Sequence, residues 1–186
     1  MVIGAGVGGY SAAIYGKKSG LDVILVEEDK LGGTCLNFGC IPTKTLIHSA
    51  NIYHDMKSYE NIGINCKANL DYLKLQDHKD EIVKNLVAGI SYLIEKNDIT
   101  FIKGHAEFLN DNTVCLGESE IKAKNIIIAT GARLDKGDFD GANLSLVLDA
   151  KEALAKKDIP QSITIIGGGV MLSLIHISEP TRLGMI

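Results

Sequence analysis

The chain has no basic stripe and no apolar run approaching the ~20 residues that a bilayer span needs. The first absence disfavours nucleic acid as a partner and the second a membrane helix. No basic lead precedes the opening "MVIGAGVGGY", so a cytoplasmic protein is expected. Cysteine is scarce too: Cys35, Cys40, Cys66 and Cys115 include one close pair, too little for the disulfide framework of a small secreted domain. Cys66 and Cys115 read as inert thiols. No internal repeat appears beyond a second glycine-ended strand. What is present is a composition of the soluble globular kind. The 186 residues are 46% hydrophobic and 23% charged with a formal net charge of -4, enough for one domain and the beginning of another.

The opening reads as a short apolar strand, a glycine turn and a helix with Tyr10, Ala13 and Ile14 on one face, ended by Gly20. A second apolar strand, Leu21 to Val26, is closed by Glu27 and Glu28, which completes a strand–helix–strand unit of the dinucleotide-binding size. A helix is expected from Pro42 to Tyr59, so the cysteine pair falls at or just before a helix start. One long amphipathic helix is expected over 70–97, interrupted near Gly89, with Leu75, Ile82, Leu86, Ile90, Leu93 and Ile94 on its apolar stripe. Three strands follow in "ITFIKG", "TVCLG" and "IKAKNIIIATG", with a turn at Asp111-Asn112. The polar stretch "DKGDFDGANLS" marks a boundary, after which "SITIIGGGV" begins another apolar strand.

Gly4, Gly6 and Gly9 form a G-x-G-x-x-G between strand and helix. One glycine permits the tight turn, one lets a pyrophosphate approach the backbone, and one lets helix and strand pack closely. Glu27 stands about twenty residues on, where a carboxylate can accept hydrogen bonds from ribose hydroxyls and disfavours a phosphorylated ribose. In "GGTCLNFGCIP" the pair Cys35 and Cys40 allows three readings: a metal clip with His48 and His54, a structural disulfide, or a redox couple. A metal clip lacks a second cysteine pair, so no metal is expected. The redox reading fits better, since Gly32, Gly33 and Gly39 allow close approach to a flat cofactor and a helix start lowers a thiol pKa.

The stretch "KLGGTCLNFGCIPTKTLIHSA" closely resembles the active-site segment of the dihydrolipoamide dehydrogenases, within the flavin-dependent pyridine nucleotide-disulfide oxidoreductases; the likeness spans Met1 to about Met171. It implies an α/β fold: the N-terminal part of a Rossmann-like, three-layer ββα FAD-binding domain over 1–133, a connector over 134–160, and over 161–171 the first strand of a second, NAD-binding Rossmann domain. It implies that Gly4, Gly6, Gly9 and Glu27 bind the ADP half of FAD, with Gly33 and Thr34 along it. Cys35 would be the interchange thiol and Cys40 the flavin-contacting thiol. Lys44 would stand near the flavin ring, while Ala106, Thr130, Gly131 and Ala132 contact FAD. Gly167 and Gly169 would belong to an incomplete NAD site. Where the family has a proline two residues after Ala132, this chain has Leu134.

The implied parent oxidises a protein-bound dihydrolipoyl group with NAD through FAD. Its partners would be lipoylated carrier proteins of 2-oxo acid dehydrogenase or glycine cleavage complexes, and it would be a homodimer. Glutathione- and mercuric-type reductases share the cysteine core and are the rival reading, beside a non-catalytic truncated product. From Leu172 to Arg182 the chain reads "LSLIHISEPTR", similar residue for residue to a translated transposase sequencing adapter. Residues 172–186 are therefore expected to be a non-native tail, and Met1 an internal codon or contig edge. None of His48, His54, His78, His105 or His176 matches the family's acid/base histidine, and the glutamate expected to pair with Lys44 is missing. This chain by itself is expected to be inactive.

Overall fold

The computed structural model describes residues 1–59, 63–65, 67–133, 136–137 and 139–167. The chain divides into two units, Met1–Ile41 with Ile82–Asp135, and Pro42–Glu81 with Lys136–Ile186. Among the described residues no helix is long and apolar enough to cross a membrane.

In the first unit four short parallel strands form one sheet: β1 (Val2–Ile3), β2 (Ile24–Glu27), β3 (Thr100–Lys103) and β7 (Ile127–Ile128), in the order β3-β2-β1-β7. The register pairs Val2 with Leu25 and with Ile127, and Leu25 with Phe101. Parallel strands covered on both faces read as unbroken apolar runs, and "ILVE" is such a run, with Leu25 and Val26 wholly enclosed. Burying each side chain contributes roughly 1.5–3 kcal/mol. Helix α1 (Val7–Lys18) packs Ala13 into the core with Val2, Ala5, Val23 and Leu36. It ends as expected, with Ser19 as cap and Gly20 at φ +84°.

Helix α4 (Tyr72–Lys96) runs unbroken, so the expected interruption at Gly89 does not occur. A Cβ at Gly89 would meet nothing within 4 Å, and Ile90 and Ile94 beside it sit in the core with Val83 and Val87 against them. That burial outweighs the ~1 kcal/mol that a helical glycine costs. The core-facing stripe is Val83 and Val87, half-buried, with Ile90 and Ile94, buried, while Leu86 and Leu93, expected on it, are exposed.

The expected strand through "IKAKNIIIATG" is two strands in different sheets. β6 (Ser119–Lys122) closes an antiparallel meander with β4 (Ala106–Asn110) and β5 (Thr113–Leu116), and β7 belongs to the parallel sheet. Strand β4 was not expected, whereas the turn at Asp111-Asn112 is present between β4 and β5. In the second unit, residues 162–167 of "SITIIGGGV" lie in no strand. An extended segment becomes a strand only by pairing, and none of the described residues pairs with it. Gly169, Leu134 and the tail from Leu172 lie outside the described residues, as does Cys66.

Candidate redox and dinucleotide site

The turn between β1 and α1 is built by its glycines. Gly4 sits at φ +96°, donates its N–H to the Val26 carbonyl at 2.8 Å, and leaves no room for a Cβ, which would strike the Ala129 carbonyl. A Cβ on Gly9 would strike the carbonyl of Gly4, so α1 and β1 approach only because both positions lack side chains. Gly6 caps α1 in an extended conformation; no side chain caps that end and no acidic residue stands in its first turn. An uncapped, acid-free helix start beside a glycine turn suits the phosphates of a dinucleotide.

The cysteine segment is strapped to this turn. The Gly32 N–H donates to the Ala5 carbonyl at 2.9 Å, and Gly32 bridges Gly6 as an isolated parallel pair. Gly33, at φ +61°, lies so close to Gly6 that a Cβ would stand 2.6 Å from the Gly6 Cα. Cys35 then falls inside a short helix, α2 (Gly33–Phe38), and Cys40 opens α3 (Cys40–Ser58). The expectation of a pair at or just before one helix start is corrected to this two-helix arrangement. The break is Gly39, where a Cβ would lie 3.1 Å from the Thr34 carbonyl oxygen and 3.3 Å from the Cys35 Cα. That tight fold brings the two Cα atoms to 4.7 Å, within disulfide reach, and Cys35 and Cys40 are disulfide-bonded and half-buried. Asn37 steadies the loop, its side-chain amide donating to the Leu31 and Gly33 carbonyls at 2.8 and 3.0 Å. Pro42 is fully buried in the first turn of α3, as expected, and Lys44 follows one turn after Cys40 and is exposed.

A cavity of about 340 Å³ opens at the ends of β1, β2 and β7, with Gly4, Glu27, Ala106, Thr130, Gly131 and Ala132 in its lining. Six expected dinucleotide residues thus meet around one space. Gly6, Gly9, Gly33, Thr34 and the cysteine pair are not in that lining, although they belong to the same unit. Glu27 is held by backbone: Oε2 accepts from Ala5 at 2.6 Å and Oε1 from Asp29 at 2.8 Å, leaving each oxygen a further lone pair. Gly167 is exposed at φ +135° in the other unit. Among the described residues no group of three His, Cys, Asp or Glu side chains is placed to hold a metal ion.

Three further lining residues are ionisable groups that the sequence reading gave no role in the site. Glu28 Oε2 meets His105 Nδ1 at 2.5 Å, and Glu28 Oε1 accepts from Arg133 Nη2 at 3.4 Å. The His105 hydrogen bond holds the Glu28 carboxyl below its ordinary value; partial desolvation opposes this, and the His105 charge and Arg133 add to the lowering. These partners lie 77 and 105 positions away, so no local pattern announces them.

Residues 1–171 match the family described as pyridine nucleotide-disulphide oxidoreductase. The chain is 40% identical over 180 residues to the dihydrolipoyl dehydrogenase of Bacillus subtilis (strain 168), covering 91% of this chain and 39% of that one. It is 41% identical over 180 residues to the dihydrolipoyl dehydrogenase of Trypanosoma brucei brucei, covering 92% and 38%. It therefore spans about two fifths of the length of these curated relatives. Among solved structures, the HOCl-induced flavoprotein disulfide reductase RclA from Escherichia coli superposes with a TM-score of 0.72 at 30% identity, covering 86% of this chain and 34% of that chain.

Proposed function

Because this chain belongs to the pyridine nucleotide-disulphide oxidoreductase family, we propose that it is the disulfide-bearing, FAD-binding part of a dihydrolipoyl dehydrogenase. The observation that carries this is the Cys35–Cys40 disulfide strapped to the glycine turn of a dinucleotide fold. When bound, FAD supplies a two-electron carrier between the cysteine pair and NAD. The chain's own part is thiol exchange. One thiolate of a dihydrolipoyl group attacks Cys35 Sγ, breaking the Cys35–Cys40 bond and freeing Cys40 as thiolate. The second substrate thiolate then attacks the mixed disulfide and frees Cys35. Substrate leaves as its disulfide, and its two electrons stay on the cysteine pair. Gly4, Gly6, Gly9 and Glu27 hold the ADP half, with Gly33 and Thr34 along it; Ala106 meets FAD through its backbone, and Thr130, Gly131 and Ala132 contact FAD. Lys44 contributes its charge near the flavin ring. Gly167 and Gly169 form part of the NAD site.

The same proposal takes 1–133 as the N-terminal part of the FAD domain, 134–160 as connector, 161–171 as the start of the NAD domain, and 172–186 as a non-native tail. The family match ending at residue 171 supports the last of these boundaries. Partners are lipoylated carrier proteins of 2-oxo acid dehydrogenase or glycine cleavage complexes, with a homodimeric parent and a cytoplasmic setting. The likeness to RclA supports a second reading, reduction of another disulfide.

The test uses the full chain in single-turnover form. Co-purified flavin and stoichiometric reduction of Cys35–Cys40 by dihydrolipoamide, but not by glutathione, are expected. Cys35→Ser abolishes that exchange. Equal or faster reaction with glutathione overturns the lipoyl assignment in favour of the second reading.

A further inference from the structure

We propose that Glu28 is a positioning residue for the ADP part of the cofactor: its carboxylate joins the β3–β4 turn and the segment after β7 to the end of β2, and so sets the width of the cavity. This rests on the dinucleotide reading of that cavity.

The backbone ladders end at the cavity wall, where Ile3, Val26 and Glu27 line it. The β2–β3 register ends at Glu27 opposite Lys103, with one more bond from the Gly104 N–H to the Glu27 carbonyl at 2.9 Å. On the other side, the Ala129 N–H donates to the Ile3 carbonyl at 2.7 Å, and residues 130–133 then run exposed. The next residue of each segment to be tied is tied by Glu28, through His105 on one side and Arg133 on the other. Each partner adjoins a lining backbone position, Ala106 after His105 and Ala132 before Arg133. Glu27 does not make this tie: its two oxygens accept from the backbone of Ala5 and Asp29. The two adjacent carboxylates thus divide the work: Glu27 faces the ribose, and Glu28 holds the walls on which adenine and ribose rest. The ionisable groups beside Glu28 are its chain neighbours Glu27 and Asp29, His105 on the second segment and Arg133 on the third.

Two measurements on the full chain test this. In the cofactor-free protein, Glu28→Ala is expected to speed amide hydrogen exchange at 104–106 and 130–133, while Glu118→Ala, on the exposed β5–β6 turn, changes neither segment. For binding, calorimetry with FAD and with ADP is expected to show a dissociation constant raised about threefold by Glu28→Ala, the scale of an exposed ion pair. Glu28→Gln, which keeps length and one carbonyl acceptor, falls between. Adding His105→Ala to Glu28→Ala weakens binding no further, because the tie is already lost. If the wild-type chain binds neither FAD nor ADP, the dinucleotide reading falls and this inference with it. If the wild type binds both and Glu28→Ala matches it in affinity and exchange, this inference alone is overturned.

Discussion

Gly8 and Gly9 are neighbours in the first turn of α1, and replacing each with alanine should move stability in opposite directions. At Gly8 a Cβ would meet nothing within 4 Å, so Gly8→Ala gains only the smaller backbone entropy cost of alanine, about 0.5–1 kcal/mol of stabilisation. At Gly9 the Cβ would collide with the Gly4 carbonyl oxygen and lie 2.8 Å from the Gly4 carbonyl carbon. The obstacle is backbone held in the sheet and cannot swing aside as a side chain would, so Gly9→Ala should cost about 1–3 kcal/mol. The two variants then differ by roughly 1.5–4 kcal/mol, and at ~2–4 °C per kcal/mol for a chain of this size their melting points differ by roughly 3–16 °C. Far-UV circular dichroism melts and urea midpoints, both without added cofactor, measure the difference with no contribution from phosphate binding. If Gly9→Ala melts at or above Gly8→Ala, the close packing of α1 on β1 is not what the third glycine is for.

In the second unit, Lys79 is buried with Nζ donating to Gln76 Oε1 at 2.7 Å and to the Leu154 carbonyl of α5 (Ala150–Ala155) at 3.1 Å, and pairing with Asp80 at 3.0 Å. Lys79→Met should destabilise by about 1–3 kcal/mol, because two acceptors lose their donor, whereas Lys74→Met, at an exposed pair, should leave the urea midpoint unchanged. The Glu152 carboxyl closes a capping box with Asp149 and pairs with Lys136 at 2.8 Å; the Lys136 hydrogen bond first, and the Asp149 backbone second, lower its pKa from 4.5. A lowered native pKa means that the contribution is complete above 4.5 and is lost as pH falls through the native value. An NMR titration should put the Glu152 midpoint below 4.5, with Lys136→Met raising it; a midpoint at or above 4.5 in the unmodified chain contradicts the pairing.

The features legible in the sequence are those decided within a few residues. The G-x-G-x-x-G turn, Gly20 after α1, Pro42 in the first turn of α3 and the turn at Asp111-Asn112 each follow from local backbone sterics, and each stands where the pattern put it. What was not legible depends on partners far along the chain. The residues from Ile121 to Ile128 read as part of one strand, yet β6 is claimed by β5 and β7 by β1, so the segment splits between two sheets. The Glu28 tie is of the same kind, because its partners reach it only through the topology that brings β3 and β7 beside β2 and β1.

Gly33 meets a different neighbour from the one its motif suggests. Its place in "GGTC" suggests close approach to a flat cofactor, but in the structure it is the Gly6 backbone that approaches it, and Gly33 does not line the cavity. A side chain there would need both a left-handed conformation, costing about 1–3 kcal/mol, and displacement of a turn that already has Gly4 against Ala129. The glycine-to-glycine contact therefore joins the two motifs mechanically. The glycine turn after β1 fixes Gly6, Gly6 fixes Gly33, and Gly33 begins the helix that carries Cys35. The spacing between the dinucleotide turn and the disulfide is thus a property of packed backbone, present before any cofactor arrives, and the redox pair inherits its position from the fold.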